Sequence, residues 1–361
     1  MRRGGNRRNP HDRSVVSAST RVALGEPVSA LPRPALLLTR REIAALMAPQ
    51  DYLDAVEAGL RSYADGRAFT PMPMHIPAHD GGFHAKGALV RLDRSFVAVK
   101  LNGNFPANPT RRGVPTIQGV VLLCDADDGS VLCVMDSIEI TLRRTAAASA
   151  LAARYLARRD ADCVAICGCG AQGRAQLMAL LDVLPIRRAI AWDLDFDKAE
   201  EYAKDMRALL GLDVTAVKEP ADATRSSTVI VTATSARMPF LMRDMVPDGA
   251  FVAAVGADSP EKSEVAPELM AEATIVADVI AQAATMGDLH HAIDSGKVVL
   301  ADVHAELSDL VAGRKPGRRT EREIIVFDST GTAPQDAASA AWIYKRALAA
   351  NIGSSINFGA P

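Results

Sequence analysis

Apolar and polar positions follow two textures along this chain. After about 34 residues without periodicity comes the short apolar run Ala35-Leu36-Leu37-Leu38. Thr39, with Glu42 three residues on, fits a capping box for a helix over about 40–47. A second helix is expected over 49–66, with Tyr52, Val56, Leu60 and Tyr63 on one face. From Thr70 to Met135 the pattern shortens to alternating runs at 83–89, 95–102, 115–125 and 130–135. His79-Asp80-Gly81-Gly82 and Asp127-Asp128-Gly129 punctuate them, which predicts antiparallel or mixed β-structure. An Ala-rich helix is expected over 137–156. Strand-like runs then fall at 163–167, 188–192, 214–218, 228–233, 250–255, 274–277 and 324–328. Helical segments alternate with them at about 174–183, 198–210, 221–226 and 267–271, and an Ala-rich helix follows over 337–351. Such alternation predicts an α/β fold with a parallel sheet and crossovers.

The first run of this second texture ends in Gly168-Cys169-Gly170-Ala171-Gln172-Gly173. Strand, tight glycine turn and helix in that order is the context of a dinucleotide-binding turn. The first glycine makes the turn, the second lets the backbone approach a pyrophosphate, and the third lets helix and strand pack closely. The helix N-terminus adds free N–H groups and partial positive charge. Asp193 ends the next strand-like run, about 20 residues on, where a carboxylate accepts from both ribose hydroxyls and repels a 2′-phosphate. The pair therefore predicts NAD rather than NADP. Asp195 and Asp197 read as cap or first-turn acids of the next helix.

Composition narrows the field. The 361 residues allow two domains, 48% are hydrophobic and only 4% aromatic, so the cores are aliphatic. A formal charge of −2 carries no nucleic-acid signal, and no apolar run approaches membrane-spanning length. Five cysteines and no secretory signal suggest a cytoplasmic protein. Cys163, Cys167 and Cys169 read as small buried thiols rather than a metal site. The first 34 residues, with Arg2, Arg3, Arg7, Arg8, Arg13 and Arg21, read as a basic tail without structure.

Chemistry-bearing residues lie outside the glycine turn. In 95–102, alternation puts Phe96, Ala98 and Lys100 on one face and Val97, Val99 and Leu101 on the other. Lys100 is either an enclosed cation suited to acid/base work or a lysine snorkelling to solvent. Arg143 and Arg144 are helical neighbours, so at most one faces inward, where it would suit a carboxylate; otherwise both are surface arginines. Asp258 follows a strand-like run at its C-terminal end, as a catalytic carboxylate or a turn residue. The polar segment 327–336 either reaches a nicotinamide or caps the last helix.

Six pieces in order carry a resemblance: Val99-Lys100-Leu101-Asn102-Gly103-Asn104-Phe105-Pro106-x-Asn108, Pro115-Thr116-Ile117-Gln118-Gly119, Arg144-Thr145-Ala146-Ala147, the glycine turn, Gly256-Ala257-Asp258-x-Pro260-x-Lys262-x-Glu264, and Asp328-Ser329-Thr330-Gly331. With these the chain, over about 36–350, resembles the ornithine cyclodeaminase/mu-crystallin family. The resemblance implies a homodimer and a Rossmann domain, over 146–336, inserted in a mixed α+β substrate-binding and dimerisation domain, over 35–145 and completed by 337–361. It also implies roles. Lys100 would be general acid/base and carboxylate partner, Arg144 a carboxylate ligand, and Asp258 a proton relay. Gly168, Gly170, Ala171, Gln172, Gly173 and Asp193 would hold NAD, together with Thr145, Thr232 and Ser329.

Two departures stand out. An upstream arginine usual in the family is missing from Pro71-Met72-Pro73-Met74-His75-Ile76, where His75 is the candidate to take its place. Phe83-His84-Ala85-Lys86 stands where many members have Met-Pro-Ala, so Lys86 is an added cation, either a replacement carboxylate ligand or a surface lysine. The leading expectation is an NAD-dependent ornithine cyclodeaminase forming proline and ammonia. The rivals are an amino-acid dehydrogenase or cyclic ketimine reductase on the same scaffold, and a binding protein without turnover.

Overall fold

Two sheets organise the chain in this computed structural model, which describes residues 34–358. The basic tail expected over 1–34 lies outside them, Pro34 excepted. The N-terminal part runs Ala35–Leu38 (β1), Arg40–Leu46 (α1), Pro49–Ala64 (α2), Ala68–Phe69 (β2), Met74–Ala78 (β3), Gly81–Arg91 (β4), Ser95–Asn104 (β5), Asn108–Arg112 (α3), Ile117–Asp125 (β6), Val131–Asp136 (β7) and Ser137–Leu156 (α4). The middle runs Cys163–Cys167 (β8), Ala171–Leu181 (α5), Arg188–Trp192 (β9), Phe196–Leu210 (α6), Asp213–Ala216 (β10), Pro220–Thr224 (α7), Val229–Thr232 (β11) and Phe251–Ala254 (β12). Then come Pro267–Glu272 (α8), Thr274–Ala277 (β13), Ile280–Ala283 (α9), Asp288–Asp294 (α10), Ala305–Glu306 (β14), Leu307–Val311 (α11), Ile325–Asp328 (β15), Ala333–Ala350 (α12) and Ser354–Ile356 (β16).

The first sheet has the order β16-β1-β7-β6-β5-β4-β2, with β3 paired to β4. Only its β1–β7 pair is parallel. The helices α2, α4 and α12 pack together over its inner face. Tyr52, Val56 and Leu60 of α2 are buried there, as their spacing predicts. Each such side chain contributes about 1.5–3 kcal/mol. Thr39 accepts from the Glu42 amide while the Glu42 carboxylate accepts from the Thr39 amide, so the expected capping box is present. Asp136 caps α4 by accepting from Ile138 and Glu139.

The second sheet is parallel throughout, in the order β10-β9-β8-β11-β12-β15-β13-β14. This is an α/β doubly wound sheet. Strand order reverses between β8 and β11, where doubly wound sheets bind ligands. The glycine turn lies at the C-terminal end of β8, at that point. Helix α4 continues without a break from the first sheet to α5. No helix among the described residues is long and apolar enough to cross a membrane.

Three features escape the sequence pattern. β3 lies in a proline-rich stretch, and Pro77 is tolerated because β3 bonds to β4 alone. The elements between 280 and 311 are too short for periodicity to register. β16 pairs with β1, closing the first sheet with the last described strand.

Candidate active site

Lys100 stands at the centre of a buried group of charges. Register pairs Lys100 of β5 with Lys86 of β4, so both face the side covered by α4 and α12. Phe96 and Ala98 on that face are buried, whereas Val99 and Leu101 are exposed, as alternation predicts. Lys100 is only 4% exposed, which removes the snorkelling reading. Its Nζ lies 2.7 Å from Asp336 Oδ2, and Arg144 Nε lies 2.9 Å from Asp336 Oδ1. Arg144 also donates through Nη1 to Gln335 Oε1 at 3.2 Å. Arg143 points outward to Glu139, so one arginine of the pair is inward.

Lys86 Nζ donates to the backbone carbonyls of Thr330 and Gly331 at 3.0 and 2.8 Å. It is thus no surface lysine. Two of its three protons already hold the segment that follows β15, so one is left for a substrate carboxylate. Burial pushes the Lys100 ammonium down to about 7; Asp336 opposes this, while Arg144 and Lys86 reinforce it. Burial and Arg144 also lower Lys86. Burial alone would raise Asp336, but Arg144 and Lys100 outweigh it and hold the carboxyl below its ordinary value.

Asp258 lies at the mouth. Its side chain is half exposed, and Oδ1 accepts from Lys262 Nζ at 2.7 Å. The atoms packed around it would raise its pKa; Lys262, with Lys86 and His84 more distant, carries it below the ordinary value instead. His75 is exposed on the edge strand, with its ring 4.5 Å from that of His84. His84 is the more buried of the two, and burial, then His75, lowers its pKa. His75 is paired with His84 by register, and Lys86 lies two residues further along β4.

The glycine turn is shaped for a dinucleotide. Gly168 has φ +106°, and a Cβ there would lie 2.5 Å from the Ala233 carbonyl oxygen. A Cβ on Gly173 would lie 2.2 Å from the Gly168 carbonyl oxygen, so this glycine lets α5 sit against the turn. A Cβ on Gly170 would meet no protein atom within 4 Å, leaving open space where a pyrophosphate approaches. No side chain caps α5, whose first turn holds Ala171, Gln172 and Gly173. Asp193 Oδ2 accepts from the Cys169 amide at 2.9 Å, fixing the acid beside the turn.

The remaining expected cofactor residues lie deeper. Thr232 is fully buried and its hydroxyl donates to Glu264 Oε2 at 2.7 Å, so that hydroxyl is already engaged within the protein. Thr145 is buried one residue after Arg144. Ser329 is buried with its Oγ unpartnered among the described residues. Cys163, Cys167 and Cys169 are buried and free. Burial raises the Cys169 thiol to about 12, which leaves it unreactive at neutral pH.

Sequence reasoning missed three residues of this region. Asp336 and Gln335 lie in the segment 327–336, yet neither reaching a nicotinamide nor capping a helix describes them: both sit in α12 and face Arg144. Glu264 is fully buried and accepts from the Thr234 and Gly256 amides, tying together the segments after β11 and β12. Its neighbours Asp258 and Lys262 were legible, but its inward direction was not.

Lys86, Lys100 and Arg144 thus gather at the segment that follows β15, at the C-terminal edge of the parallel sheet. Several known proteins are similar to this chain. The archaeal alanine dehydrogenase dimer with bound NAD is 34% identical, with TM-score 0.86, covering 90% of this chain and 99% of that one. The Thermococcus litoralis Δ1-pyrroline-2-carboxylate reductase in complex with NADH and L-proline is 31% identical, with TM-score 0.86, covering 89% and 100%. A lysine cyclodeaminase that recognises L-lysine, L-ornithine and L-2,4-diaminobutyric acid is 31% identical, with TM-score 0.80, covering 90% and 96%. The family model described as ornithine cyclodeaminase/mu-crystallin matches residues 34–351, nearly the whole described chain. With that span and the six motifs in order, this chain belongs to the ornithine cyclodeaminase/mu-crystallin family.

Proposed function

We propose that this protein is an NAD-dependent oxidoreductase that interconverts a small α-amino acid with a neutral side chain and its imino acid. The observation that carries this reading is the group Lys86, Lys100 and Arg144 around a single buried carboxylate, Asp336. Its spare donors suit one substrate carboxylate. NAD, held by the glycine turn with Asp193 beside its ribose, supplies or accepts a hydride at the substrate Cα. In the oxidising direction the substrate nitrogen gives a proton to Lys100, whose ammonium is poised near neutrality and can return it in reverse. Asp258, half exposed beside Lys262, relays that proton to solvent.

Ornithine cyclodeamination is the second reading. It uses the same carboxylate site and recycles NAD, and Asp258 is the carboxylate available to a second amine. The ammonium of Lys86 weighs against it, because it adds a positive charge where a diamine would lie. A non-catalytic binding role leaves the poised Lys100 without purpose.

The protein is also proposed to act as a homodimer. Ile76, Val99, Leu101 and Val120 share the outer face of the first sheet by register and are 40–44% exposed, an apolar surface that a second copy would cover. The deciding experiment incubates purified protein with NAD and a panel of L-amino acids, and in parallel with NADH and cyclic or acyclic α-imino acids. NADH forming in proportion to a neutral amino acid, or consumed with an imino acid, is the expected result. Proline and ammonia from ornithine without net NADH would replace the proposal by the cyclodeaminase reading.

A further inference from the structure

Among the described residues, Asp336 is the only acid that contacts any of the three clustered cations, pairing with Lys100 and Arg144 while Lys86 holds backbone carbonyls. Asp336 lies in the first turn of α12, where a carboxylate is favoured by the helix N-terminus. The preceding turn runs through Gly331, with φ +76°. A Cβ on Gly331 would lie 2.6 Å from Arg144 Nη1, so only glycine lets the guanidinium reach back to this helix. Each Asp336 oxygen then takes a different cation: Oδ2 takes Lys100 and Oδ1 takes Arg144. One carboxylate thereby sets the spacing of both groups.

We propose that Asp336 is the positioning residue of this site, holding the Lys100 ammonium and the Arg144 guanidinium at a fixed separation, with Lys86 as its electrostatic opponent across the β4–β5 pair. Its bearing on the reaction rests on the reading that Lys100 exchanges the substrate proton. The groups facing Lys100 are few. β4 presents Lys86, β6 presents the apolar Val121, α4 presents Arg144 and α12 presents Asp336. Asp258 faces Lys86 and His84 rather than Lys100. Burial, Arg144 and Lys86 all push Lys100 toward losing its proton, and Asp336 alone opposes them. Asp336 and Lys86 therefore act on Lys100 with opposite sign, on top of burial.

The test reads Lys100 without turnover. The full chain contains nine lysines, few enough for lysine-selective 13C/15N labelling and NMR titration, with Lys100→Arg assigning the signal. The wild-type Lys100 midpoint is expected near neutrality. Asp336→Asn should lower it and Lys86→Met should raise it, each by about one pH unit or more. Lys86→Met alone decides the matter should Asp336→Asn fail to fold. Midpoints unmoved in the folded variants, or moved in the same direction, overturn the proposal. Opposite movements in a protein that turns over no amino or imino acid uphold this assignment and sink the redox reading alone. Turnover with unmoved midpoints does the reverse.

Discussion

The cations on the β4–β5 face and the acids behind the dinucleotide sheet meet at the same segment, Thr330-Gly331, and are satisfied in opposite ways. Asp278 accepts from the Thr330 hydroxyl and the Gly331 amide, while Lys86 donates to the carbonyls of those two residues. On the acidic side, Glu264 accepts from the Thr234 and Gly256 amides and Asp288 from the Glu264 and Val265 amides. Asp328 accepts from the Leu289 amide. These carboxylates take backbone amides and fix the segments at the sheet's C-terminal edge, although Asp288 Oδ2 and Asp328 Oδ1 have no partner among the described residues. Among the cations, Lys86 likewise holds backbone, whereas Lys100 and Arg144 contact side chains and keep donors over. Buried charge held by backbone builds scaffold, whereas Lys100 and Arg144 keep donors that the proposed function assigns to a substrate carboxylate.

The sharpest way to break this contrast is to remove one member of each group. Lys100→Ala is expected to lower turnover roughly 10²–10⁴-fold while leaving the melting temperature close to wild type. Steady-state kinetics beside a thermal melt check this, and turnover within a few-fold of wild type would remove Lys100 from the chemistry. Asp288→Ala should do the converse. It strands the buried Glu264 and Val265 amides and costs about 2–4 kcal/mol in urea unfolding, with turnover per folded molecule little changed. Lost activity at undiminished stability would place Asp288 with the catalytic groups.

The smallest effect is the pH dependence of stability, where the two groups pull against each other. Burial, reinforced by Asp288, raises Glu264 to about 7, and burial raises Asp288 to about 6, both above their unfolded values. The folded state then binds more protons than the unfolded chain, so this stability is present below about pH 4 and is lost as pH rises through 6–7. Lys100 runs the other way. Its folded value of about 7 lies below its unfolded one, so its contribution is lost as pH falls through about 7 and returns toward pH 10. Denaturant unfolding across pH 5–9 should show a falling limb that Glu264→Gln flattens and a rising limb that Lys100→Met flattens. A Glu264→Gln curve parallel to wild type would take Glu264 out of this account.

Much of the fold was legible. The helix over 137–156 and the strand over 274–277 stand where their patterns put them, because long Ala-rich periodicity and short apolar runs between turns are local signals. The β3 strand was hidden because edge position, not composition, excuses its proline. In the site, alternation correctly placed Lys100 with Phe96 and Ala98, since the period of a strand is a local property. His75 was a weaker reading, for a missing arginine says what has gone and not where its replacement points.

The sequence by itself determined the dinucleotide turn, the acid beside it and the face of β5 that carries Lys100. The turn and the strand face depend on residues within a few positions of one another, and Asp193 on the spacing of one strand–helix–strand unit. Only the tertiary structure decided that Asp336, 236 positions after Lys100 in the chain, is its partner. Helix geometry left Arg143 and Arg144 open and the family resemblance chose Arg144, which the fold turns inward; only the fold decided that Lys86 grips the segment after β15. Those contacts join residues far apart in sequence, and the physics that pairs them, burial of charge beside charge, does not exist until the sheet and the last helix have closed over them.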